Sequence, residues 1–163
     1  MGSDRDRKEG CFSYLLRFLG IKKKGIDFSV YGLRKSLLTR NEREFYKVLK
    51  IVVGDRFEVF SKVRLSDVFW VERGEGYRGA LNRINPRHVD FLLCEKETMK
   101  PILGIELDDV SHLREDRVER DEFVDGLYER VGLPLLRVKT KKEYFAEDLR
   151  ELIVREFRRR LRA

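Results

Sequence analysis

The chain contains no glutamine, and asparagine and threonine occur three times each. Charged residues make up 40% of it. Scarce thermolabile amides beside abundant charge lean towards a thermophilic source, where ion-pair networks take over. Only two cysteines are present, Cys11 and Cys94. That excludes a disulfide framework and any cysteine-based zinc site. It also fits a reducing, cytoplasmic compartment. No long apolar run exists. Residues 11–21, Cys-Phe-Ser-Tyr-Leu-Leu-Arg-Phe-Leu-Gly-Ile, are apolar but too short to span a bilayer. Acids crowd the N-terminus, which argues against a secretory signal.

Positive charge is plentiful. The formal net charge is +7 over 163 residues, and the isoelectric point is near 9.5. Such a balance favours polyanionic partners. It is unevenly spread: residues 106–125 hold nine acids against three arginines, whereas residues 139–163 hold nine Lys or Arg against five acids. A basic protein with a local acidic pocket suits metal-dependent chemistry on nucleic acid.

The length predicts one domain. Residues 1–27 read as a leader, a polar tail followed by an apolar and then basic segment, and residues 28–163 as the domain. Residues 11–24, ending in Lys22, Lys23 and Lys24, suggest either a helix docked on the domain or contact with a membrane surface or protein partner.

Thr39-Arg-Asn-Glu42 has the form of a capping box opening a helix to about Val52, with Phe45, Tyr46, Leu49, Val52 and Val53 inward. Residues 56–65 alternate as a strand, with Phe57, Val59, Ser61, Val63 and Leu65 on one face and Lys62 on the other. Residues 66–86 read as a long connection carrying Trp70, Arg73, Arg78 and Arg83. With Arg87, these arginines are candidate nucleic-acid contacts.

Two strand-like runs follow, Arg87-His-Val-Asp90-Phe-Leu-Leu and Ile102-Leu-Gly-Ile-Glu106-Leu-Asp108-Asp109. Strand side chains alternate between faces. Alternation puts Val89, Phe91 and Leu93 on one face and His88 and Asp90 on the other. It likewise puts Ile105 and Leu107 opposite Gly104, Glu106 and Asp108. If the strands are neighbours, Asp90, Glu106 and Asp108 converge. Clustered carboxylates repel unless a cation sits among them, so Asp90→Asn is expected to stabilise metal-free protein. Oxygen ligands of this kind suit Mg²⁺ or Mn²⁺.

A helix is predicted over 113–131, stopped by Gly132. Its inward stripe is Arg117, Asp121, Val124, Tyr128 and Val131. A strand over 134–138 and an amphipathic helix over 143–161 complete the order α-β-β-β-α-β-α. Phe145, Leu149, Leu152, Ile153, Phe157 and Leu161 form that helix's inward stripe.

This order, with an acid on the second strand and Glu-x-Asp on the third, resembles the PD-(D/E)XK nuclease superfamily. The resemblance is closer to one bacterial family of unknown function in that superfamily, and more distant to very-short-patch-repair-like endonucleases. The resemblance rests on Ser36-Leu-Leu-Thr-Arg-Asn-Glu42-Arg-Glu-Phe45, Lys62-Val-Arg-Leu65, His88-Val-Asp-Phe91, Ile105-Glu-Leu-Asp-Asp109, Ser111-His112, Arg120-Asp-Glu-Phe123 and Gly132-Leu-Pro-Leu-Leu-Arg137. It covers about residues 33–140.

The resemblance implies a restriction-endonuclease-like α/β (α+β) fold, an α-β-β-β-α-β core with a central mixed sheet flanked by helices. It also implies metal-dependent hydrolysis of DNA phosphodiesters by an endonuclease or nickase. Asp90 and Glu106 would be metal ligands, with Asp108 beside them and Glu42 as a further ligand or water-positioning acid. The superfamily's usual lysine, two residues after the third-strand acid, is replaced here by Asp108. His112 could then move the proton. Lys62 is the weaker candidate to stand in for the missing lysine. Arg117, Asp121 and His88 would orient His112 or a ligand. The alternative is a catalytically inactive nuclease-like domain that binds DNA or protein.

Overall fold

The computed structural model describes residues 27–108 and 115–160, without the side chains of 115–120 and 160. The chain divides into two compact units, Met1–Leu37 and Leu38–Ala163. Within the first, Ser29 N–H donates to Asp27 Oδ1, and the Phe28 and Tyr31 rings meet at 6.2 Å.

The second unit is α+β: one four-stranded mixed sheet flanked by helices. Its elements are α1 (Arg40–Val53), a 3₁₀ turn (Gly54–Arg56), β1 (Phe57–Arg64), α2 (Leu65–Val68), α3 (Tyr77–Ile84), β2 (His88–Glu95), β3 (Pro101–Asp108), α4 (Glu115–Val131), β4 (Leu135–Lys139) and α5 (Ala146–Arg160). Strand order is β1-β2-β3-β4. The first two pairings are antiparallel and β3 runs parallel to β4. A parallel pair needs a crossover, and α4 supplies it.

Both faces of the sheet are covered. On one, Phe45 and Leu49 of α1 and Leu149 and Ile153 of α5 meet Phe91, Leu93, Leu103 and Ile105. On the other, Leu65, Phe69, Ile84, Val124 and Tyr128 meet Val89, Leu92 and Cys94. Phe45 is fully buried, so truncating it to Ala is expected to cost about 3–5 kcal/mol.

α1 starts as its sequence predicts. Thr39 Oγ1 accepts from Glu42 N–H at 3.3 Å, and Glu42 Oε2 accepts from Thr39 N–H at 2.8 Å. Gly132, at φ 75°, ends α4 in the left-handed region. A side chain is excluded at Gly104 for a different reason: a Cβ there would lie 2.6 Å from the Tyr128 ring.

Four expectations are corrected. The segment read as one connection contains α2 and α3. Val131 and Phe145, read as inward, are more than half exposed; each lies at or just beyond a helix end, where the stripe leaves the core. Leu65, read as the last strand residue, opens α2 instead. Finally, strict alternation fails in β1 and β2. Val59, Phe91 and Leu93 pack on the α1/α5 side, but Val63 and Val89 pack on the α4 side. The switch falls at Lys62 and Asp90. Lys62 has φ 56°, and the ladder passes from Ser61↔Phe91 to Val63↔Val89 without pairing the residues between.

Candidate functional site: an ammonium between two carboxylates

The break in the β1/β2 ladder positions the site. Lys62 sits in left-handed backbone that non-glycine residues rarely adopt, at a cost of order 1–3 kcal/mol. Its Nζ donates to Glu42 Oε1 at 2.5 Å and to Asp90 Oδ1 at 2.7 Å. The three side chains are 13–24% exposed. Burial alone would push the Lys62 pKa down, but the two carboxylates outweigh it and hold it above the usual lysine value. Burial likewise acts to raise the Glu42 pKa. The Lys62 ammonium and the Thr39 cap overcome that and hold Glu42 below the usual range. Glu42 thus caps α1 with one oxygen and binds Lys62 with the other.

Asp90 also has two duties. Its Oδ2 accepts from Leu107 N–H at 2.9 Å, so the side chain takes over the link to β3. Phe91 pairs with Ile105 at this end of the β2/β3 ladder, and Glu106 follows Ile105 on β3. Glu106 is half-buried and its charge is felt by Tyr128. Burial first, and then Glu106, pushes the Tyr128 hydroxyl well above the usual phenol value. That hydroxyl is buried and has no hydrogen-bond partner among the described residues.

The predicted convergence of three acids is corrected. Asp108 is drawn away by Arg137, whose Nη1 donates to Asp108 Oδ1 at 3.0 Å. The same guanidinium binds Asp125 at 2.9 Å and approaches Asp121 at 3.7 Å. Asp121 therefore braces β4 against α4 and is about half exposed. Among the described residues, no group of three or more His, Cys, Asp and Glu is arranged as a metal-binding cluster. The candidate ligand pair is reduced to Asp90 and Glu106. Their carboxylates are hard oxygen donors, the ligand type that suits Mg²⁺ or Mn²⁺.

The remaining candidates are scattered. His112 and the leader segment 11–24 lie outside the described residues, as does the side chain of Arg117. His88 is exposed and lines a cleft with Lys62, Arg64, Asn85, Pro86 and Arg87. Arg83 and Arg87 lie 6.0 and 5.2 Å from the Phe123 ring centroid. Arg73 and Arg78 are exposed around Tyr77. No helix among the described residues is long and apolar enough to cross a membrane.

Sequence reasoning gave Arg137 and Tyr128 no part in the site. The available signal for Arg137 was a charge between two buried positions of a short strand, Leu136 and Val138. For Tyr128 it was a hydroxyl on the inward stripe of α4.

Comparison with known proteins finds no curated protein and no solved structure that matches. One family model does match, over residues 34–157, that of DUF2726, described as a protein of unknown function. The match spans about three quarters of the sequence, and the chain belongs to the DUF2726 family.

Proposed function

We propose that this protein is a metal-dependent deoxyribonuclease, an endonuclease or nickase of the PD-(D/E)XK kind. The observation that carries the reading is the Lys62 ammonium held between Glu42 and Asp90, beside the strand that carries Glu106. A lysine beside the strand acids is what the third strand lacks, since Asp108 stands in its place. Here β1 supplies it.

Asp90 and Glu106 would hold Mg²⁺ or Mn²⁺. The ion would supply a water of lowered pKa and a counter-charge for phosphorus. Lys62 is too basic to take a proton near neutrality. Its work is electrostatic: a fixed positive charge beside the phosphate oxygens, in a site partly shielded from water. Glu42 orients that ammonium. Asp90, tied to Leu107 N–H, keeps a fixed direction. His112 remains the proposed proton-transfer residue. Its replacement by Ala is expected to slow cleavage by roughly 10²–10⁴ while DNA affinity stays close to wild type.

The test is incubation of supercoiled plasmid with purified protein in Mg²⁺, Mn²⁺ or EDTA. Nicking or linearisation is expected with either metal, and neither in EDTA nor with Glu106→Ala. Equal cleavage by wild type and Glu106→Ala would identify a contaminant. The second reading, an inactive nuclease-like domain that binds DNA or protein, is favoured by one observation: Asp108 is engaged by Arg137. Metal-independent DNA binding without any cleavage would support it.

A further inference from the structure

Next to the Lys62 site lies a cleft of about 460 Å³ lined by Lys62, Arg64, Asn85, Pro86, Arg87 and His88. Among the described residues that line it there is no acid. Arg64 and His88 face each other across the end of the β1/β2 ladder. Both are exposed, and neither side chain makes a hydrogen bond or ion pair among the described residues. Lys62 is held by two acids and Arg137 by three aspartates. Arg64 is not held in this way. Arg87 is fixed beforehand, because its guanidinium donates to the Arg83 carbonyl and lies over the Phe123 ring.

Spacing sets the relation to the Lys62 site. Arg64 follows Lys62 by two residues, and His88 precedes Asp90 by two. Two residues of strand span about 6.6 Å. That is comparable to the step between neighbouring phosphates of one nucleic-acid strand. A phosphate held by Arg64, His88 and Arg87 would therefore sit one nucleotide from a phosphate at Lys62.

We infer that this cleft binds the DNA backbone phosphate adjacent to the one cleaved, with Arg64 as its main cation. The inference rests on the nuclease reading for the word "cleaved", but its test does not. Anisotropy of a fluorescein-labelled DNA duplex, titrated with protein in EDTA at several salt concentrations, reads binding without hydrolysis. Arg64→Gln is expected to weaken binding and to make the slope of log K against log salt shallower by about 0.9, one phosphate contact. Arg64→Lys should keep the slope. Arg56→Gln, at the opposite end of β1, should leave both affinity and slope unchanged.

Wild-type affinity and slope in Arg64→Gln would overturn the proposal, as would an equal loss in Arg56→Gln. A further arm uses thymidine 5′-monophosphate as competitor. If Arg64→Gln lost mononucleotide binding but kept the duplex slope, the cleft would be a free-nucleotide site and the backbone assignment would fall. Because every arm excludes metal, absence of plasmid cleavage would leave this result standing. Loss of this result would leave the Asp90–Glu106 site standing.

Discussion

Two ion-pair clusters lie along the same sheet and differ in kind. In the first, one lysine lies between two acids, all three less than a quarter exposed. In the second, Arg137 faces three aspartates that are 42–55% exposed. Solvent-exposed pairs are worth little, because water screens them and ordering the side chains costs entropy. Half-buried ones are different: removing one partner strands a charge away from water. The second cluster is a surface brace between β4 and α4. The first costs backbone strain at Lys62 and interrupts a strand ladder. That cost supports the proposal that the first cluster serves chemistry.

The sharpest way to break this comparison is to remove each cation in turn. Lys62→Met leaves Glu42 and Asp90 repelling each other, with an expected loss of about 2–3 kcal/mol, somewhat under the roughly 3–5 of a fully buried pair. Mn²⁺ should restore part of the melting temperature by binding the folded state. Arg137→Met should cost less than about 1 kcal/mol and show no Mn²⁺ rescue. Equal losses in chemical denaturation would erase the distinction between the clusters.

Gly104→Ala drives a methyl group into the Tyr128 ring, with an expected cost of about 1–3 kcal/mol. Removing the unpartnered hydroxyl with Tyr128→Phe should be close to neutral in the same assay, since it strips a buried group of no partner.

Asp90→Asn reverses an expectation drawn from sequence. Three clustered acids without a cation would gain from losing a charge. The structure supplies the cation, Lys62, so the variant should melt lower than wild type in EDTA.

The smallest effect is the acid limb of stability. Glu42 has a folded pKa below its unfolded value. Its contribution is therefore complete above the ordinary carboxylate range and is lost as pH falls through the folded pKa. Lys62 has a raised pKa, so its contribution persists below the ordinary lysine range and is lost at more alkaline pH. The melting-temperature gap between wild type and Glu42→Gln should hold at neutrality and close on acidification. A gap that widened in acid would contradict the assignment.

Local signals are legible in the sequence. Thr39 and Glu42 announce the start of α1, Gly132 the end of α4, and the two acidic runs became adjacent strands. What escaped were the features without a period. α2 has four residues and α3 has eight, too short for a helical stripe to stand out. Gly76 and Gly79 further disguise α3 as a loop. The face switch at Lys62 and Asp90 depends on one unusual backbone angle that residue type does not encode. The partnerships Lys62–Asp90 and Asp108–Arg137 join residues 28 and 29 positions apart. Charge pattern placed Asp108 in the acidic pocket, yet only the position of β4 decides that it turns to Arg137.

The most direct measurement compares the single-turnover plasmid-nicking rates of Lys62→Ala and Asp108→Ala in Mn²⁺, each checked for folding by its melting curve. The expected result is a loss of about 10²-fold or more for Lys62→Ala, as when a positioned electrostatic group is removed, with Asp108→Ala within a few-fold of wild type. A wild type that never nicks DNA, or a Lys62→Ala protein as fast as wild type while Asp108→Ala is inactive, would contradict it.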